Sequence, residues 1–505
     1  MKNINRLFLM VFSLVFITSC DKDFDEMNVS KTAATAIDPA FILNRAVLNS
    51  SFQTAQLVYE IGIVQQIVTP NSGVLTGANY NQDNRASTQG NWQNYYRNVI
   101  RNTKDVIAQA SGDPARTNLV SMARILQANA FMVLTDTYGN IPYSEGGDGY
   151  NTQIFFPSYD TQESIYPKII QELQEASAAL SASGRVERAD VLFGGDVEKW
   201  RKFGYSLMLR AGMRLSEVSP ATAQSTVAAA FNGGVILTND NNAFIRHDAN
   251  YANPMGNTLN STEAANFYLA KPFVDALQST NDPRLSAIAI RYVGATSGPT
   301  QVVEVGSNAA ADQIGMPLGH DNGTVTGAAE ADGLASFYDY SQVDRRRMAK
   351  LGSPAFLVTA AQTNLLLAEA RVRGWITSGT AAQYFAAGIS AHMDQLATFD
   401  AASAVAAPDR DSYVAANPLG AGTELEQINT QYWIASFLNG PEAFANFRRS
   451  GFPALSPNPF PGREVTFINR LTYPNSEISV NTEQVNAAIA AQGADDLETK
   501  VWWDK

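Results

Sequence analysis

The stretch "TQESIYPKIIQELQEASAALSAS", residues 161–183, sets the fold class of this chain. Ile165, Ile169, Leu173, Ala176 and Leu180 recur at spacings of 4, 4, 3 and 4, which lines one face of an α-helix with apolar side chains. Asp160 or Thr161 is placed to cap its start, since a short oxygen-bearing side chain there accepts from the free N–H groups of the first turn.

The same periodicity runs through "NLVSMARILQANAFMVLTDTYG", by way of Leu119, Met122, Ile125 or Leu126, and Met132 or Val133. It returns in "EKWRKFGYSLMLRAGMRL", through Trp200, Phe203, Leu207, Ala211 and Leu215. Later candidates are "AAQTNLLLAEARVRG", "AAQYFAAGISAHMDQL" and "ELEQINTQYWIASFLNG". At least six amphipathic helices with small-residue contacts predict a mostly α protein and suggest tetratricopeptide-like helix pairs forming a scaffold, although the repeat signal is too degenerate for periodicity alone to assign them. Between them, residues 69–94, 232–262, 293–342 and 400–423 are rich in Gly, Asn, Ser and Pro. Loops beyond about 12–15 residues are uncommon in compact domains and often functional, so the binding surface is expected on these insertions.

The 505 residues exceed the roughly 250–300 at which a single core stops growing, which predicts several packed units or an extended repeat scaffold. Apolar residues at 45% and charged residues at 17% exclude wholesale disorder. The net charge of −12 opposes nucleic acid and anionic lipid head groups.

The N-terminus carries Lys2 and Arg6 and then "LFLMVFSLVFI", too short to span a bilayer, which takes roughly 20 apolar residues. A charged start and a short apolar core are the marks of a secretory signal. Thr18 and Ser19 lead into Cys20, the only cysteine, in an arrangement that resembles a bacterial lipobox. The resemblance implies removal of residues 1–19 and acylation of Cys20 with diacylglycerol and a fatty acyl chain, leaving no thiol for disulfides or catalysis. Loss of Lys2 and Arg6 takes the net charge from −12 to −14. Membrane contact is therefore expected from the lipid, and residues 20–38 read as a polar tether.

"LTDTYGNIPYSEG", residues 134–146, resembles the D-x-Y-G-x-I-P-Y-S-E signature of the SusD/RagB family of nutrient-binding lipoproteins of Bacteroidetes. "FPSYDTQESIYPKIIQEL", "KWRKFGYSLMLRAGMRL", "LLLAEARVRGW", "EAFANFRRSGFPAL", "RLTYPNSE" and the terminal "VWWDK" match further family features in order. The resemblance implies four tetratricopeptide-like helix pairs within residues 39–505. It also implies a surface lipoprotein of the outer membrane that caps a SusC-like, TonB-dependent barrel and captures nutrient for import. That nutrient is commonly oligosaccharide, or peptide as in the RagB part of the family. The acidic run "DKDFDE" after Cys20 resembles the signal that sends such lipoproteins to the cell surface.

Within that frame, "YGNIPYSE" reads as a packed corner, with Gly139 as a helix C-cap and Pro142 blocking continuation. Arg448 and Arg449 are expected to satisfy buried carboxylates and carbonyls, and Trp502 and Trp503 to dock onto the scaffold. The ligand candidates lie in "TGANYNQDNRASTQGNWQNYYRN", residues 76–98. Asn79, Asp83 and Arg85 supply hydrogen-bonding groups, and Tyr80 and Trp92 supply flat apolar faces. A pyranose needs both, because its C–H face packs on a ring while its hydroxyls need directed partners. Trp92 also begins a stripe with Tyr96, Val99, Thr103 and Val106, so a place in the core stays open for it. Tyr251 with Asn253, and Tyr338 with Tyr340, are secondary loop candidates.

No catalytic site is expected, and a lipid-anchored hydrolase is the lesser alternative, because a glycosidase needs only two carboxylates and the chain has 48 acids. His247, His320 and His392 show no metal-ligand spacing, and no G-x-S-x-G, P-loop or G-x-G-x-x-G motif is present. "TNDNNAF" and "HDNGTV" do not complete a calcium loop, so no metal and no cofactor beyond the Cys20 lipid is expected.

Overall fold

The computed structural model describes residues 37–52, 59–71, 82–260, 266–462 and 467–504. The signal, Cys20, nearly all of the tether, Asn79 and Tyr80 lie outside the described residues.

From Pro39 onward the chain forms one unit. Its first half stacks helices in chain order: α1 (Pro39–Asn49), α2 (Arg85–Asn94), α3 (Arg101–Ala110), α4 (Thr117–Tyr138), α5 (Gln162–Ala179), α6 (Val197–Arg214) and α7 (Pro220–Gly233). α3 packs on α1 and α4, α4 packs on α5, α5 on α6 and α6 on α7. In the second half α8 (Ala360–Val372) packs on α9 (Ala381–Gln395) and α10 (Glu424–Ala435), and α10 packs on α11 (Gly440–Ser450). Contacts of α8 with α6 and of α11 with α4 join the halves. The predicted mostly α scaffold of helix pairs is what the structure has.

Local chemistry explains the helix limits. Thr161 caps α5 by accepting from the Ser164 N–H, and the stripe from Ile165 to Leu180 is buried. The Asp196 carboxylate caps α6, while Thr359 with Gln362 and Thr380 with Gln383 form capping boxes on α8 and α9. α4 stops at Tyr138 because Gly139 turns to φ +85°, a conformation open to glycine and strained for other residues. Where α6 crosses α5, a Cβ on Gly204 would lie 2.0 Å from the Ser177 hydroxyl oxygen, so the close approach requires glycine.

Strands are short and antiparallel: β1 (Ile67–Val68) with β3 (Tyr268–Leu269), β2 (Ala243–Ile245) with β7 (Ala355–Val358), and a three-stranded sheet. In that sheet β4 (Ala289–Tyr292) lies between β5 (Gly306–Ser307) and β6 (Gln342–Val343). Residues 293–342, which the sequence offers as loop, thus contribute strand β5 and short helical turns. Strands of two to four residues are too brief for a period-two pattern to register.

A buried polar core ties the halves. Asp136 accepts from Tyr166, from Arg214 Nε at 3.2 Å and from the Trp503 indole at 3.0 Å. Glu442 takes Arg210, Arg214 and the Tyr432 hydroxyl. Arg448 donates to the carbonyls of Asn469 and Asp136, and Arg449 grips Glu369. The expected roles of both arginines and the docking of Trp503 are present.

Candidate ligand-binding site

α2 starts where Asn84 accepts from the Ser87 N–H. The residues before it fasten this turn to the far end of the chain. Asp83 Oδ1 accepts from the Thr472 hydroxyl at 2.6 Å, and its Oδ2 pairs with Arg85 Nε at 2.8 Å. The Arg85 guanidinium also reaches the Asp495 carboxylate and the carbonyls of Tyr473 and Asp495. The polar atoms proposed from sequence to meet ligand are engaged within the protein, and neither residue lines the cavity described next.

Trp92 is 3% exposed, and Val99, Thr103 and Val106 of its stripe are buried as well. Its ring centroid lies 4.9–6.1 Å from those of Tyr96, Tyr138, Tyr159 and Tyr473. The helix widens to a π-turn over Tyr95–Ile100, and within it Tyr96 donates to the Pro142 carbonyl at 2.8 Å. The core reading of Trp92 holds for most of the ring.

Its edge nevertheless reaches a cavity of about 540 Å³ beside the "YGNIPYSE" corner. Pro142, Phe155 and Val480 give this cavity an apolar wall, and Gln93, Arg97 and Glu477 give it polar groups. Phe155 is 66% exposed and Phe156 61%, an unusual display of aromatic surface. Arg97 is exposed and has no ion-pair partner among the described residues. Glu477, on the short helix α12 (Asn475–Val480), accepts from the Tyr159 hydroxyl at 3.0 Å. Burial raises its pKa, against hydrogen bonds from Tyr159, Trp92 and Asn481. Rings and directed polar groups around one opening suit a sugar ring.

Sequence reading missed Phe155, Arg97 and Glu477. The pair Phe155–Phe156 inside the polar run "GGDGYNTQIFFPS" was the available signal. Of the secondary candidates, Tyr251 is exposed, whereas Asn253 is buried and holds the Ser353 carbonyl. Tyr340 is buried, with its hydroxyl on Asp332, while Phe337 and Tyr338 stack at 4.2 Å. The Asp321 carboxylate of "HDNGTV" accepts from Gly323 and Thr324 of its own turn. Among the described residues no cluster of His, Cys, Asp and Glu suits a metal, and no helix is long and apolar enough to cross a membrane.

A family model described as SusD-like, "Starch-binding associating with outer membrane", matches residues 31–474. The chain belongs to the SusD-like family. Among solved structures, this SusD-like chain is 31% identical to a chitin-binding protein, with a TM-score of 0.81 over 92% of this chain and 100% of that one. It is 25% identical to a SusD-like protein of Bacteroidetes, at a TM-score of 0.80 over 93% and 100% of the two chains. It is also 25% identical to a chitin-binding SusD homologue from Flavobacterium johnsoniae, at a TM-score of 0.74 over 92% and 97%. No functionally curated protein matches the chain. Membership associates the SusD-like chain with the outer membrane and with glycan binding.

Proposed function

We propose that this SusD-like chain is a non-catalytic, surface-exposed lipoprotein that binds oligosaccharide and delivers it to a SusC-like, TonB-dependent barrel, which it caps. Acyl chains on Cys20 hold it to the outer membrane, and the barrel supplies the energy for import. The observation that carries the reading is the 31% identity, over 92% of the chain, to a protein described as chitin-binding. The cavity at Trp92, Phe155 and Glu477 supports it, because it pairs ring surface with hydrogen-bonding groups in the way an N-acetylated or plain pyranose requires.

Titration calorimetry of residues 21–505 against chito-oligosaccharides, malto-oligosaccharides and peptides tests the ligand. Saturable sugar binding with no product on long incubation is expected. Binding of peptides alone would move the protein to the peptide-binding reading, and release of sugar product would overturn the non-catalytic assignment. In cells, Cys20→Ala is expected to shift the protein into the soluble fraction, and purification in mild detergent to bring down a large barrel. Failure of either result removes the anchor or the lid from the proposal.

A further inference from the structure

A second opening lies at the start of the scaffold. It encloses about 740 Å³ between α1, Val191 and the segment from His247 to Pro254. Phe41, Arg45 and Leu48 follow one another at i, i+4 and i+7, so they form a single stripe along α1, and that stripe faces the opening. Phe41 is 59% exposed and Tyr251 is 58% exposed, giving the groove two free aromatic surfaces.

Its charge is unlike that of the molecule around it. The protein carries 48 acidic and 36 basic residues, yet among the described residues no carboxylate lines this groove. Several surface arginines elsewhere, among them Arg124, Arg201, Arg373 and Arg410, pair with neighbouring carboxylates. Arg45 is exposed on the groove and has no ion-pair partner among the described residues. Asp248, next to the groove residue His247, is exposed, does not line the opening, and accepts from the N–H groups of Asn250 and Tyr251.

The wall opposite Arg45 is pre-set. His247 Nδ1 lies 2.7 Å from the Tyr251 carbonyl, which can only accept, so Nδ1 carries the proton. Nε2 then accepts from the Ser51 hydroxyl at 2.9 Å. Burial holds the His247 pKa below its ordinary value, and the imidazole is neutral as it bridges α1's end to the Tyr251 loop. Two aromatic surfaces and one guanidinium with no ion-pair partner among the described residues are therefore held around one opening.

We infer that this groove is a second saccharide subsite, selective for sugars bearing a carboxylate, with Arg45 pairing the carboxylate and Phe41 and Tyr251 packing on the ring faces. A guanidinium meets a carboxylate with two parallel hydrogen bonds, a geometry that a neutral hydroxyl or an ester does not reproduce. The inference rests on the glycan-binding reading and extends it from neutral to acidic sugars.

The test is calorimetry on residues 21–505 with trigalacturonate, its methyl ester, a hyaluronan tetrasaccharide and neutral chitotetraose. At least one of the two acidic sugars is expected to bind, and trigalacturonate to bind at least tenfold more tightly than its ester if it is the one recognised. Arg45→Gln is expected to cost the acidic sugar at least tenfold while chitotetraose binds the variant as it binds the wild type. Phe41→Ala is expected to weaken the acidic sugar, and matching thermal melts show that both variants fold. Failure of both acidic sugars to bind overturns the inference, as does undiminished acidic binding by Arg45→Gln. Chitotetraose binding in that case leaves the glycan reading intact, whereas silence with all four sugars removes both.

Discussion

Arg449 and Glu369 face each other as a two-pronged ion pair, Nη1 to Oε1 and Nη2 to Oε2 both at 2.7 Å, at the packing of α11 against the α8 and α10 layer. Neither side chain reaches solvent, and Asn429, Asn446 and Arg373 complete the hydrogen bonding around them. Burial pushes the Glu369 carboxyl up, but the charges of Arg449 and Arg373 more than reverse it, leaving a pKa of about 2.

Removing one partner strands the other without solvent. Arg449→Met is expected to cost about 3–5 kcal/mol, read from denaturant midpoints. A folded pKa below the unfolded value means that the pair's contribution is present above about pH 4.5 and is lost as pH falls towards 2. Wild-type stability should fall steeply over that window and the variant's less so; parallel slopes would refute the assignment.

Glu60 has the opposite sign. Burial raises its pKa to about 8, against a hydrogen bond from Thr137 and the charge of Arg448. The folded state keeps a proton that the unfolded chain releases near pH 4.5, so the stability this group confers is lost as pH rises from there through 8. Glu60→Gln cannot ionise, and it should gain on the wild type between pH 5 and pH 8. Melts showing the same pH dependence for both proteins would sink the argument.

Gly139 ends α4 at φ +85°, and a Cβ there would lie 2.0 Å from Gln492 Oε1. That amide is itself fixed, because it accepts from the Asn140 N–H and donates to the Tyr138 carbonyl. Gly139→Ala is expected to cost about 1–3 kcal/mol in thermal or denaturant unfolding. A neutral result would mean that the corner relaxes.

Trp92 and Phe155 should separate stability from binding. Trp92→Ala removes a ring enclosed by four tyrosines and is expected to cost about 3–5 kcal/mol. Phe155→Ala removes an exposed ring, so its stability change should stay within about 0.5 kcal/mol while glycan affinity drops roughly tenfold. Paired melts and calorimetry measure both, and unchanged affinity in Phe155→Ala would take the cavity out of the ligand site.

Periodicity and capping chemistry made the scaffold legible. The stripe from Ile165 to Leu180, the Thr161 cap and the stop at Gly139 are local, and each is decided within a few turns of chain. The ordered family motifs carried the rest of the fold. The site was less legible because its polar groups are matched over distance. Arg85 meets Asp495 and Asp83 meets Thr472, partners from the far end of the chain that no neighbouring residue announces. Trp92 satisfied a helix stripe and a sugar platform equally well in sequence, and only the packing of Tyr138, Tyr159 and Tyr473 around it decides how much ring is left over.

The Trp503 indole closes on Asp136 across 367 positions of sequence, and its backbone N–H meets the Gln162 side chain. The acid at the heart of the first helices therefore takes its donor from a residue far along the chain. Without Trp503 in place, the polar centre is incomplete and the N-terminal helices lack a closing contact. The two halves of the scaffold are thereby latched at a single buried acid, so a loss at Trp503 is felt first among helices more than three hundred residues away in sequence.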